Sequence, residues 1–181
     1  MFSDPYWNPP EEEPKRIKRV LDGIKENVSK LKNILFVVIK SWNDNVVLYE
    51  YAENDKDVVN TSWLSLENED ASRHQKMGNN SLRSNLNPAE FILFGCTVQV
   101  LEGERFLLKI NQEELANRTF ELVMDSAGNP AVIGKVGDEM CRLEHAYIQM
   151  KKGIIPEAEY MNFRGKSLVT GKTVTEKIIK H

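Results

Sequence analysis

The stretch RGKSLVTGKTVTEK, Arg164 to Lys177, decides the fold. Its Gly165, Gly171, Lys172 and Thr173 have the makings of a phosphate-binding loop, which would make the chain an α/β nucleotide hydrolase or kinase. That loop has the spacing G-x-x-x-x-G-K, whereas five residues, Lys166 to Thr170, separate Gly165 from Gly171. It also opens directly into a helix whose N-terminal amides hold the anion. Here Val174, Thr175, Ile178 and Ile179 follow, β-branched residues that favour strand. The stretch therefore reads as two strands joined by a turn, with both glycines at turn positions and Lys172-Thr173 opening the closing strand.

Working outward, the same pattern continues. ILFVVIK (Ile34–Lys40) and VVLYEY (Val46–Tyr51) flank the polar segment SWNDN as a hairpin, and DVVNTSWLSL (Asp57–Leu66) is a third strand. EFILFGCTVQVL, RFLLKI, TFELVM, PAVIGKV, CRLEHAYIQM and AEYMNFRG read as further strands. Turn chemistry separates them: EGE, DSAGN, KVGDE and KKGIIP. NQEELANR reads as a strand break with room for one helical turn, and Glu67 to Pro88 as a long polar loop. About nine short strands without long helices between them imply antiparallel connections. The expected fold is mainly β, a single antiparallel β-sandwich or distorted barrel.

One helix precedes it, expected over residues 14–33. Pro14 suits the first turn, and Glu11, Glu12 and Glu13 complement the helix N-terminus. Ile17, Val20, Leu21, Ile24, Val28 and Leu31 make one apolar stripe, leaving Lys15, Arg16, Lys18, Arg19 and Lys25 to solvent. Residues 1–13 read as an extended tail, because Pro5, Pro9 and Pro10 forbid helix and disfavour sheet. Phe2, Tyr6 and Trp7 are unusual in a purely solvated segment, and are the candidate partner-binding residues. The β domain then runs over 34–181.

A chain of 181 residues with 41% hydrophobic and 28% charged content holds one ordinary core. A net charge of −3 leaves no basic footprint for nucleic acid. Cys96 and Cys141 sit in separate apolar stretches and read as buried free thiols. His74, His145 and His181 are scattered, so neither metal nor cofactor is expected. The acidic, proline-rich start is unlike a secretory signal, and ILFVVI is too short to span a bilayer, so the expected location is cytoplasmic.

The candidate catalytic groups are weak. Cys141 and His145 lie on one strand, where four positions at about 3.3 Å each separate them by roughly 13 Å on one face. His145 alternates with Leu143 and Tyr147, which would face it inward with them, and reads as a core or edge histidine. Glu113–Glu114 and Asp138–Glu139 fall in turns and are solvated. Arg73, His74, Lys76 and Arg83 form a cationic cluster within a flexible polar loop.

The order of these features resembles an uncharacterised family of small β-rich domains, the domain-of-unknown-function family four-eight-three-three. The resemblance runs from about Asn33 onward. It rests on the opening hairpin NILFVVIKSWNDNVVLYEY, Trp63 within NTSWLSL, the pair Phe94-Gly95, and EYMNFRGKSLVTGKTVTEKI with Gly165, Thr170, Gly171, Lys172 and Glu176. Between Trp63 and Phe94 a longer polar insert departs from that pattern. The resemblance implies the fold and carries no activity.

With no catalytic constellation and an aromatic tail, the expected function is a non-enzymatic protein-binding or scaffold module. A cytoskeletal host, ciliary or microtubule-associated, is expected by analogy. The alternative is a small-ligand or lipid-binding β-barrel carrier, lined by Trp63, Phe94 and Tyr147.

Overall fold

The computed structural model describes residues 13–28, 31–41, 45–52, 58–66, 83–101, 105–112, 115–151 and 157–179. Among these residues are eleven strands, β1 (Ile34–Lys40), β2 (Asn45–Tyr51), β3 (Val59–Ser65), β4 (Arg83–Asn85), β5 (Cys96–Leu101), β6 (Arg105–Ile110), β7 (Phe120–Met124), β8 (Pro130–Val136), β9 (Glu139–Lys151), β10 (Glu157–Ser167) and β11 (Thr173–Ile179). Helix α1 spans Glu13–Asn27, a short helix α2 spans Pro88–Phe94, and a 3-10 turn covers Leu31–Asn33.

The strands form one sheet in the order β4-β3-β2-β1-β9-β8-β7-β6-β5, with the β10–β11 hairpin attached to β9. The ladders are antiparallel except between β1 and β9. The long strand β9 organises the whole. Its first residues pair with β8 (Cys141↔Gly134, Arg142↔Ile133) and its later ones with β1 (His145↔Val37 to Ile148↔Lys40). Since β10 accompanies β9 from Cys141 to Lys151, β8 and β1 must share its other edge, end to end. Two branches therefore diverge from β9, one of β1 to β4 and one of β8 back to β5. They approach again where Thr61 Oγ1 on β3 lies 3.7 Å from Cys96 Sγ on β5. The result is a nearly closed, barrel-like sheet, which bears out the expected mainly β fold.

The space between the branches holds the main core, including Phe36, Val38, Val47, Tyr49, Leu108, Phe120, Cys141, Leu143, Ala146 and Phe163. Phe163 meets Phe36 and Phe120 edge-on, at centroid distances of 5.8 and 6.0 Å. A smaller core lies on the outer face of the first branch, where Val20, Ile24 and Val28 pack on Val37, Ile39, Val46, Leu48, Leu64 and Tyr147. The apolar stripe thus positions α1 as expected, with two corrections. Leu31 lies beyond the end of α1 in the 3-10 turn and is exposed. Arg16, expected in solvent, is only 2% exposed, and its Nη1 donates to the Lys40 carbonyl at 3.3 Å.

The sequence reading EFILFGCTVQVL as one strand is corrected as well: residues 88–94 are helical and the strand starts at Cys96. Asn87 and Pro88 supply the reason. The Phe91 N–H donates to the Asn87 carbonyl at 2.9 Å, and Pro88 stands first in the helix, where its missing N–H costs nothing. Gly95 then ends the helix. A Cβ there would lie 2.5 Å from the Phe91 ring and 2.6 Å from the Phe91 carbonyl oxygen, so only glycine fits.

The stretch Arg164 to Lys177 is a β-hairpin. Its tip is tied by the Ser167 N–H to the Lys172 carbonyl and by Ser167 Oγ, which accepts from the N–H groups of Val169 and Thr170 at 3.2 Å. Gly171 sits in the turn with φ of 70°. Gly165 does not: it lies inside β10, where a Cβ would come 2.7 Å from the Arg142 carbonyl oxygen. Its glycine serves close strand approach rather than a turn.

Candidate binding site

The expected nucleophile–base pair is dismantled by a bulge. β10 pairs Arg164 with His145 and Gly165 with Leu143, so Glu144 is an extra residue on β9. An extra residue reverses the alternation beyond it. Cys141 and Leu143 face the main core, whereas His145 and Tyr147 join Val37 and Ile39 on the outer face. The expectation that His145 faces inward is therefore corrected; it is buried on the α1 side. Cys141 and His145 stand on opposite faces of the sheet, where no proton passes between them. Both cysteines are buried and free, as expected. Burial raises the Cys141 thiol, which keeps it protonated.

The carrier-lining residues also separate. Trp63 and Phe94 come together, with ring centroids 5.4 Å apart and edge-on. Tyr147 lies across the sheet beneath α1, its hydroxyl donating to Gln149 Oε1 at 2.9 Å. The tail residues Phe2, Tyr6 and Trp7 lie outside the described residues, as do Arg73, His74, Lys76 and the side chain of Arg83.

Around Trp63 and Phe94 the structure assembles a cluster that the sequence reading missed. β1 ends on Lys40, a lysine only 5% exposed, whose Nζ stands 4.1 Å from the centroid of the Trp63 ring and 5.6 Å from that of Phe94. A desolvated ammonium over an indole face is worth about 2 kcal/mol. Phe94 is the last residue of α2, and the polar bonds at this end of the helix hold it in place. Tyr49 donates its hydroxyl to the Phe94 carbonyl at 2.6 Å, and Asn111 Nδ2 donates to the Phe91 carbonyl at 3.0 Å. The Asn111 N–H in turn donates to the Gly95 carbonyl at 2.8 Å. Burial foremost, then the charge of Cys96, pushes the Tyr49 hydroxyl well above its ordinary pKa, so it keeps the proton it donates.

α2 is thus pinned from below by Tyr49, Asn111, Trp63 and Lys40, while among the described residues its other side is exposed. Phe91, Ile92 and Leu93 are 45, 72 and 59% exposed. Three consecutive large apolar side chains on an anchored helix make a platform rather than a fraying end. The sequence did carry a signal for it: Asn-Pro at the start and glycine at the end, around an apolar run short enough to pass for strand.

A second constellation closes the far side. Arg118 forms a bidentate pair with Glu176 on β11, Nη1 lying 2.7 Å from Oε1, and Oε1 also accepts from the Gly137 N–H at 2.7 Å. The Arg118 guanidinium lies 5.8 Å from the centroid of Phe163. Hydrogen bonds from Arg118 hold the Glu176 carboxyl below the usual carboxylate range, with the Gly137 N–H contributing less. With three hydrogen bonds on its two oxygens, the ionised Glu176 carboxylate clasps β11 to the β8–β9 turn and to the segment before β7.

Fold and site define a barrel-like β domain with an apolar platform at one edge. The chain belongs to the family described as a domain of unknown function, DUF4833, which it matches over residues 36–177. No curated protein and no solved structure matches it. The match begins within β1, ends within β11 and leaves α1 outside it.

Proposed function

We propose that this chain is a non-enzymatic protein-binding module whose docking surface is α2. The observation that carries this reading is the exposure of Phe91, Ile92 and Leu93 on a helix held by Tyr49 and Asn111. Clustered exposed apolar side chains on a rigid support are what a partner's pocket buries. The carrier reading draws no comparable support, because Phe36, Tyr49, Phe120 and Phe163 occupy the interior a ligand would need. The host is proposed by analogy to be a cytoplasmic, cytoskeletal assembly, which detergent extraction of cells expressing the tagged chain tests by whether it stays with the insoluble lattice.

The direct test is cross-linking and affinity capture with the full chain and with Ile92→Asp and Leu93→Asp. Both side chains are mostly in solvent, so thermal unfolding should be unchanged within about 0.5 kcal/mol. Partners captured by the parent chain should be lost by both variants. Identical capture by parent and variants would remove α2 as the docking surface.

A further inference from the structure

Strand β11 lies at an edge of the sheet. Among the described strands it pairs with β10 alone, over seven residues in unbroken register. The Ser167 N–H donates to the Lys172 carbonyl, and bonded pairs alternate with non-bonded ones along an antiparallel ladder. The backbone N–H and C=O groups of Thr173, Thr175, Lys177 and Ile179 therefore point outward from that edge. The side chains of the same four residues are exposed, while those of Val174, Glu176 and Ile178 are half-buried on the inner face.

Sheets guard such an edge with a proline, a bulge or a projecting charge. β11 has no proline and no bulge against β10, and both its charges are drawn back into the fold. Glu176 turns inward to Arg118 and the Gly137 N–H, and the Lys177 ammonium lies 4.2 Å from the centroid of the Tyr160 ring. Ile179, at the far end, is 57% exposed. β5, the strand at the other end of the sheet, is less open, because Cys96 already lies against Thr61 of β3.

We propose that a second copy of this chain adds to this edge, β11 against β11, antiparallel about a twofold axis at Glu176. The register follows from the residues. Outward-pointing groups must meet one another to bond, and an axis at residue 176 achieves this over the whole strand. Thr173 then stands opposite Ile179, Val174 opposite Ile178, and Thr175 opposite Lys177. Apolar side chains meet apolar or methyl-bearing ones, and each ammonium meets a hydroxyl. An axis at residue 177 would oppose two lysines, a destabilising pair, and one at residue 175 would leave Ile179 beyond the ladder. Glu176 meets its own kind, but in each copy Arg118 already neutralises it. A foreign strand would have to supply this complementary pattern, whereas the chain itself carries it. The contact uses the same edge in both copies and so closes on itself. It involves no residue of α2 and stands apart from the protein-binding reading.

Sedimentation velocity of the full chain over a concentration series tests it, with exposed Thr175 as the probe. The parent should show a reversible monomer–dimer equilibrium. Thr175→Lys sets an ammonium opposite Lys177 and Thr175→Glu a carboxylate, each twice per dimer by symmetry. The lysine variant should weaken the dimer about tenfold and the glutamate variant should tighten it by a similar factor. Thr175→Pro removes an outward N–H and none bonded to β10, so it should abolish the dimer while circular dichroism shows an unchanged fold. A parent that stays monomeric at every concentration overturns the proposal and leaves the edge to a strand of another protein. A dimer that all three variants leave unchanged also overturns it, since its interface would lie elsewhere. If Thr175→Glu weakens the dimer as Thr175→Lys does, the register at Glu176 is wrong and the proposal fails with it.

Discussion

His145 is buried beneath α1 with the Arg164 guanidinium nearby. Burial first, then Arg164, pulls its imidazole from the ordinary 6.5 to about 4. The folded chain therefore holds His145 neutral through a range in which the unfolded chain takes up a proton. Its effect on stability is nil well above pH 6.5 and grows as the pH falls toward 4, where the loss approaches roughly 3 kcal/mol. Urea titrations at stepped pH should show this decline, and His145→Gln should flatten it. An equal decline in the variant would mean that carboxylates alone produce it. The sequence supplied a histidine among apolar neighbours and so its burial, but not its direction. One bulged residue, Glu144, sets that, and a bulge depends on the register of β10, which strand alternation alone does not encode. Arg16 escaped notice similarly: the helix stripe counts only apolar positions, and its bond partner is a backbone carbonyl on β1.

At the scale of elements, what could be read followed periodicity. The three- and four-residue spacing from Ile17 to Val28 places α1, and alternation with turn residues places the strands. α2 was misread because Phe91 to Phe94 are apolar in an unbroken run, which suits a strand as well as a helix, and its identity rests on the flanking Asn87, Pro88 and Gly95. The platform residues were therefore read as part of a strand rather than as an exposed helix. The hairpin β10–β11 was legible, but the task of Glu176 was not, since Arg118 is distant in sequence. Replacing Glu176 by Gln removes the charge while sparing an acceptor for Gly137. The change should cost about 2 kcal/mol, the scale of hydrogen bonds to a charged group. Because the carboxyl is held below its ordinary range, the parent's advantage is present at neutral pH and fades as acid protonates Glu176. Denaturant midpoints of parent and variant should converge at low pH; a constant gap would mean that packing, not charge, is what the substitution disturbs.

For the whole molecule, β9 and β10 carry the two branches. Both are bonded along each edge over much of their length, whereas β5 has a ladder to β6 alone and β11 to β10 alone among the described strands. Hydrogen exchange should therefore be slowest within Cys141–Ile148 and Met161–Gly165 and fastest in Val98–Leu101. Faster exchange in β9 than in β5 would contradict the branched arrangement. This architecture was beyond the sequence reading, which foresaw sandwich or barrel without choosing. Branching depends on which strand is long enough to serve two neighbours, and the 13 residues of β9 became evident only with its ladders.

The parallel pairing of Val37 with His145 also bears on how the chain is made. β1 (Ile34–Lys40) leaves the ribosome well before β9 (Glu139–Lys151), the strand that flanks it, so the ladder of β1 to β4 waits with one edge open. α1, synthesised just ahead, shields the outer wall, whereas Phe36, Val38, Val47 and Tyr49 on the inner face wait for the second branch, which β9 joins to β1. Long-range pairing of this kind slows folding and leaves intermediates prone to association. Translation pauses or truncations between β4 and β9 are accordingly where this chain is most exposed to aggregation and to capture by chaperones.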